Sequence, residues 1–280
     1  MQNRFVMGFV CFMAPIITWL ITVLIPGRKS AVLTAEAKNK TLIMTLVQGL
    51  KSYMDPDGKT PLRDIVAKCY ALGDFPALWA VEGAGKDLAE WHMARNPNPT
   101  RMLIDTDLGP QDDKALLMLH AGIGLGFARY WVEPLKPTSS AEEKKTAVLN
   151  TVALCRANSK PGYTGAAIES LGLVSRFIHD AAWCREVHAI LTAHAPNATL
   201  YFWRGVGRAV YFSPQNMIPG FAKPARSIDM CAAEAPNEEV RQTMLSGVAW
   251  ATTVVNMITP EVMQWVLERR NDYFGDNPGY

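Results

Sequence analysis

Glu82, His120, Glu169 and Arg204 are the residues of this chain whose types and placing suit chemistry. Each stands just before a pair of small residues two positions apart. The pairs are Gly83/Gly85, Gly122/Gly124, Ser170/Gly172 and Gly205/Gly207, with a fifth at Gly247/Ala249. If the five segments were pseudo-symmetric, these side chains would converge near one axis. Two carboxylates there would make a general acid/base pair, and Arg204 or Arg208 would hold an anion. The competing reading is structural: the same groups make buried ion pairs or helix-end contacts that set the register of the repeats. That reading is favoured, because no nucleophile or metal-ligand pattern joins them.

Other reactive types give less. His92, His179, His188 and His194 have no acidic or cysteine partner at a useful interval. His188 and His194 are six apart, not the four of a helical metal site. Ser170 and Ser246 sit in no GxSxG elbow. The five cysteines (Cys11, Cys69, Cys155, Cys184 and Cys231) form no CxxC and read as buried, reduced thiols. No metal or cofactor is expected. Gly122-Ile123-Gly124-Leu125-Gly126 resembles a dinucleotide loop only in composition. Such a loop follows a strand, whereas Lys114 to His120 reads as helix. The aromatics Trp203, Tyr211, Phe212, Trp250 and Trp265 read as core.

The elements that carry these groups are marked by the small pairs. Their first members lie 39, 48, 35 and 42 residues apart. A glycine within a helix costs about 1 kcal/mol relative to alanine, so a recurring pair needs a reason. Missing side chains let a second helix backbone come close. Gly83, Gly85, Gly122, Gly124, Gly172, Gly205, Gly207 and Gly247 are therefore expected at helix-packing positions. Clearing space for a flat or long apolar ligand is the other use. A period near that of one helical hairpin suits a solenoid-like array or a closed bundle.

Helix start signals support an all-α fold of about eight to twelve helices. Thr34 is placed to cap a helix from Ala35, and Thr60-Pro61 gives a cap followed by proline. Ser139 with Glu142 has capping-box spacing. Asn237 precedes Glu238 and Glu239, and Thr259-Pro260-Glu261 opens the last helix. Leu200–Trp203 and Val210–Phe212 are β-prone but short.

The first residues differ in character. No charged residue occurs from Phe5 to Pro26, and about 20 apolar residues suffice for a helix to cross hydrocarbon. Backbone groups in lipid must be satisfied within the segment, so a spanning run is helical. Phe5, Trp19 and Pro26 are its expected membrane positions. A cleaved signal peptide fits less well, because Ala35-Glu36-Ala37 lies beyond Arg28 and Lys29 and the run is too long. The expected organisation is a transmembrane anchor at residues 1–30 and a helical repeat domain at residues 31–280. Arg28, Lys29, Lys38 and Lys40 outnumber the charge before the run, placing the main domain on the cytoplasmic side.

The ordered segments EGAG (82–85), HAGIGLGFAR (120–129), GYTGAAIESLG (162–172), WRGVGRAVYF (203–212) and SGVAWA (246–251) resemble those of a bacterial family of uncharacterised proteins. The family is labelled "enediyne biosynthesis protein" because some members occur in gene clusters for those polyketides. The resemblance spans residues 75–257 and is clearest from His120 to Arg129 and from Gly205 to Phe212. It implies a shared domain in a bacterial protein, and with the uncharged run as anchor the expected location is the bacterial inner membrane, single-pass. It implies no activity, and the Phe5–Pro26 run departs from the family.

Two functions fit. One is a membrane-anchored, non-catalytic accessory subunit whose partners are the membrane and other subunits of a membrane complex, such as an energy-transducing assembly. The other is a biosynthetic protein that binds or remodels a long hydrophobic molecule, polyene or lipid-like. The net charge of +2, with no basic run among aromatics, argues against a nucleic-acid partner.

Overall fold

The computed structural model describes residues 20, 24, 27–48, 53–55, 57–105, 113–213, 216 and 226–270. Among them the chain is all-α, without strands. Its eleven α-helices are α1 (Arg28–Gln48), α2 (Leu62–Tyr70), α3 (Asp74–Met93), α4 (Asp113–Trp131), α5 (Ala141–Asn158), α6 (Thr164–Ile178), α7 (Ala181–His194), α8 (Thr199–Tyr211), α9 (Arg226–Glu234), α10 (Glu238–Asn256) and α11 (Pro260–Arg269). The run Phe5–Pro26 lies outside the described residues except for Leu20 and Leu24. Among the described residues no helix is long and apolar enough to cross a membrane.

The helices begin where local chemistry satisfies their first amides. Asn237 accepts from the Val240 amide at 2.9 Å and starts α10. Thr259 precedes Pro260 at the first position of α11. Asp180 caps α7 by accepting from the Trp183 amide at 2.9 Å. Before α3 the chain turns at Gly73 with φ +95°, a conformation that side chains strongly disfavour.

Three start signals act differently from expectation. The capping box belongs to Ser140 and Glu143, not Ser139 and Glu142. The Glu143 amide donates to Ser140 Oγ at 3.2 Å, and Glu143 Oε2 accepts from the Ser140 amide at 2.7 Å. Thr34 does not start a helix, because α1 already runs from Arg28 and buries Val32 and Leu33 ahead of it. Pro61, not Thr60, holds the cap position of α2, and the Thr60 hydroxyl donates to Asp55 instead. The β-prone residues Leu200–Trp203 and Val210–Tyr211 are helical in α8. Burial of Phe202, Trp203, Val206 and Val210 along that helix outweighs strand propensity.

The chain forms two compact units. The larger spans Leu46–Val206: α2 to α7, the last turn of α1 and the first part of α8. Its most extensive helix pair is α3 with α4, followed by α4 with α6. Trp79, Phe127, Phe202, Leu119, Ile123 and Leu171 are among its fully buried side chains. The other unit joins the residues up to Thr45 with those from Gly207 onward: most of α1, the end of α8, and α9 to α11. Val32 packs there with Val262 and Trp265, so α1 lies along α11.

Candidate functional site

Within the larger unit the glycine pairs meet backbone. A Cβ built on Gly85 would stand 2.5 Å from the Leu119 carbonyl oxygen, and one on Gly122 would fall within 3.0 Å of the Glu82 carbonyl. The contact is reciprocal. On both helices the facing carbonyl belongs to the residue three before the glycine, so α3 and α4 cross with local two-fold symmetry. The same relation holds for α6 and α8, where Gly172 meets the Phe202 carbonyl and Gly205 the Glu169 carbonyl. Between α4 and α6, Gly124 meets the Ala167 carbonyl. There Ser170 takes the reciprocal place, and its hydroxyl donates to the Ala121 carbonyl at 2.7 Å.

This geometry explains the interval of two. Residues two apart on an α-helix point about 200° apart, so one small pair opens opposite faces. On α3, Gly83 faces Leu46 and Val47 while Gly85 faces α4. On α4, Gly122 faces α3 while Gly124 faces α6. The first small residue admits the preceding neighbour and the second the following one. Gly126, one turn beyond Gly122, meets Ala89 and the Lys86 carbonyl of α3. In the other unit Gly207 meets the Met244 carbonyl, and Gly247 is buried on the same helix α10. Backbone stands within 3.0 Å of a Cβ placed at Gly83, Gly85, Gly122, Gly124, Gly126, Gly172, Gly205 or Gly207.

The chemistry-bearing residues of the sequence are also held by structure. His120 is fully buried on α4. Its Nδ1 lies 2.6 Å from the Leu116 carbonyl and its Nε2 accepts from the Lys160 amide at 3.0 Å. Both nitrogens are used, which fixes a neutral ring protonated at Nδ1. Tyr163 stacks on that ring at 4.8 Å. Burial pushes the imidazole down to about 4. His120 is therefore a strut between α4 and the turn before α6. Glu169, buried on α6, pairs with Arg204 of α8 at 3.3 Å. Glu82 is buried on α3, and its carbonyl is the one that meets Gly122. Of the four, the structure thus shows Glu169 and Arg204 brought together.

Among the described residues, no group of three or more His, Cys, Asp or Glu is placed to hold a metal ion. Cys69, Cys155, Cys184 and Cys231 are buried free thiols. Burial pushes Cys155 up to about 12 and Cys69 up to about 11, so neither is an activated thiolate. Cys11 lies outside the described residues.

The sequence reading missed one buried polar cluster. In the smaller unit Lys40 is 1% exposed. Its ammonium lies 3.0 Å from Glu36 Oε1, donates to the Asn216 carbonyl at 3.1 Å and stands 3.7 Å from the centre of the Tyr211 ring. The Tyr211 hydroxyl bonds the Glu36 carboxylate and accepts from Asn256 Nδ2 at 2.8 Å. Asn39 donates to Asn256 Oδ1 at 3.3 Å and to Thr259 Oγ1 at 2.8 Å. Burial lowers the Lys40 ammonium against the opposing pull of Glu36. Burial raises the Tyr211 phenol well above its ordinary value, and Glu36 adds to that.

The charged groups here are paired within the fold, while Asn216 Oδ1 is buried without a hydrogen bond. The cluster clasps α1 to the end of α8, to α10 and to the start of α11. Its sequence trace is the Glu36–Lys40 interval of one helical turn among apolar neighbours. Lys40 is thus a buried partner of Glu36, and it drops out of the membrane-flanking charge.

No protein-family model, curated protein or solved structure matches this chain.

Proposed function

We propose that the chain is a membrane-anchored, non-catalytic accessory subunit that docks its helical domain on a larger membrane protein assembly. The observation that carries this reading is the use of its polar side chains. Both His120 nitrogens bond backbone, Glu169 is paired with Arg204, and Lys40 is enclosed by Glu36, Tyr211 and Asn216. These groups join helices to one another. Neighbouring backbone likewise takes the space at Gly83, Gly122 and Gly205, which counts against a cavity lined by these glycines for a hydrophobic substrate.

Anchoring is supported by the uncharged run Phe5–Pro26, which leads directly into α1. Leu20 and Leu24, its two described residues, are 43% and 74% exposed. On this reading α3, α4, α6, α8 and α10 are copies of one small-pair helix. Repeated helices of that kind offer extended surfaces to partners.

Mild-detergent extraction from the native host followed by native mass measurement tests the proposal. It predicts a species heavier than the monomer, containing defined additional subunits. A monomer alone, in a preparation where known membrane complexes stay intact, would overturn it.

A further inference from the structure

We propose that His120 is an acid-released latch: on taking up a proton it lets go of the turn Lys160–Tyr163, and the seam between α4 and α6 opens from that end.

Contacts in register lay out the seam. His120 of α4 stacks on Tyr163, and Gly124 meets the Ala167 carbonyl. Further on, Ala128 packs with Val174, and the Val132 carbonyl lies 3.4 Å from His179 Nε2. Both helices advance together, so they run parallel, with a histidine at each end of the seam. Between the ends lie the Gly124 approach, the Ser170 hydroxyl on the Ala121 carbonyl, and the apolar group of Leu125, Ala128 and Val174. Opening uncovers the α4 stripe Ala121, Gly124, Leu125 and Ala128, which α6 now covers.

Protonation acts at the His120 end by removing an acceptor. The Leu116 carbonyl, 2.6 Å away, holds one proton on Nδ1, and Nε2 accepts from the Lys160 amide at 3.0 Å. A second proton has only Nε2 to occupy, where it faces that amide. Donor then meets donor in a fully buried place, and the bond to the turn is lost. The titratable groups facing the ring are Tyr163, stacked on it, and Lys160. Burial holds the imidazole down to about 4 against the pull of the Leu116 carbonyl, and the Lys160 ammonium adds to burial. At the far end Trp183 stacks on His179 at 4.0 Å. Burial lowers His179 too, against the pull of the Val132 carbonyl and Asp180, and the Lys144 ammonium adds to burial. Acid therefore loosens both ends in the same sense. Gly85 and Gly122, by contrast, join α3 to α4 through backbone contacts that carry no proton.

The size of the response follows from linkage. The released ring has the ordinary value of 6.5 and the held ring about 4. The closed form is thus fully favoured above about pH 6.5 and is lost progressively below it. Between about pH 7.5 and about pH 5 the opening constant rises roughly 30-fold through His120 alone.

Amide hydrogen exchange of the full chain in detergent, corrected for the intrinsic pH dependence of exchange, tests the latch. Over that pH interval, residues 160–172 should lose protection roughly 30-fold, while α2 keeps its own. His120→Phe, with no proton to gain, should give equal corrected protection at both pH values. Should that variant not fold, His120→Gln takes its place, because it keeps a side-chain acceptor and does not titrate. Unchanged protection over residues 160–172, a loss shared equally by α2, or a loss that survives in the His120 variant overturns the latch.

Discussion

The two units join helices by different means. In the larger unit α3, α4, α6 and α8 meet where side chains are absent, backbone against backbone. In the smaller, α1 is held by charged and amide side chains drawn fully inside. Each device has its own cost. A helical glycine gives up helix propensity but leaves no charge to desolvate. A buried ion pair must be stripped of water, a cost that its attraction offsets only when both charges are present. The crossings between glycines tolerate no added atom. The clasp tolerates a change of polarity only if both charges go together. Gly207 against Met244 shows that the smaller unit also uses the first device, so the clasp is an addition to it.

The largest effect should come from splitting the clasp. Lys40→Met leaves the Glu36 carboxylate buried with its countercharge gone and should cost about 3–5 kcal/mol in urea unfolding. Glu36→Met combined with Lys40→Met should recover most of that loss. A double variant no better than the single would dissolve the contrast, because the pair would then not be the unit that matters. In the larger unit Gly205→Val drives branched carbons into the Glu169 carbonyl and should cost about 3 kcal/mol. Valine at exposed, strained Gly162, where a Cβ has open space, gives a control for backbone strain without collision.

Acid should also act on the larger unit through His120. Its folded value of about 4 lies below the 6.5 of the free side chain, so the unfolded chain takes up the proton first as pH falls. Stability is therefore unaffected by this group above about pH 6.5 and is lost between there and about pH 4, by roughly 3 kcal/mol. Burial also lowers His92 and His179, adding loss of the same sign. Comparing pH-dependent unfolding of the parent with His120→Phe isolates the His120 share; identical slopes would show that this strut contributes nothing. The smallest effect belongs to a surface device outside both packing modes. Ser140→Ala should cost about 1 kcal/mol through the lost capping box, and Ser139→Ala should cost less.

Much of the larger unit was legible because its logic is local. A recurring helical glycine announces a close neighbour; in the smaller unit, Asn237 and Thr259-Pro260 likewise announce helix starts on their own. The interval of two needed only helical geometry to be read as two opposite faces, yet which carbonyl fills each gap depends on the partner helix. The clasp was illegible for a stronger reason. Glu36 and Lys40 are one turn apart, but Tyr211, Asn216 and Asn256, which make them a site, lie far along the chain. Without those partners Lys40 resembles a solvated charge. His120 resembled an acid or base for the same reason, since the Lys160 amide that occupies its second nitrogen is 40 residues away. Ser139 and Ser140 are both acceptable caps, and only the backbone chooses between them.

The most direct measurement is the unfolding free energy of Gly122→Ala. At a glycine facing solvent, alanine would add about 1 kcal/mol of stability through helix propensity. At Gly122 the added carbon meets the Glu82 carbonyl and the Gly85 backbone, and stability should fall by roughly 2 kcal/mol. A variant as stable as the parent, or more stable, would contradict the account.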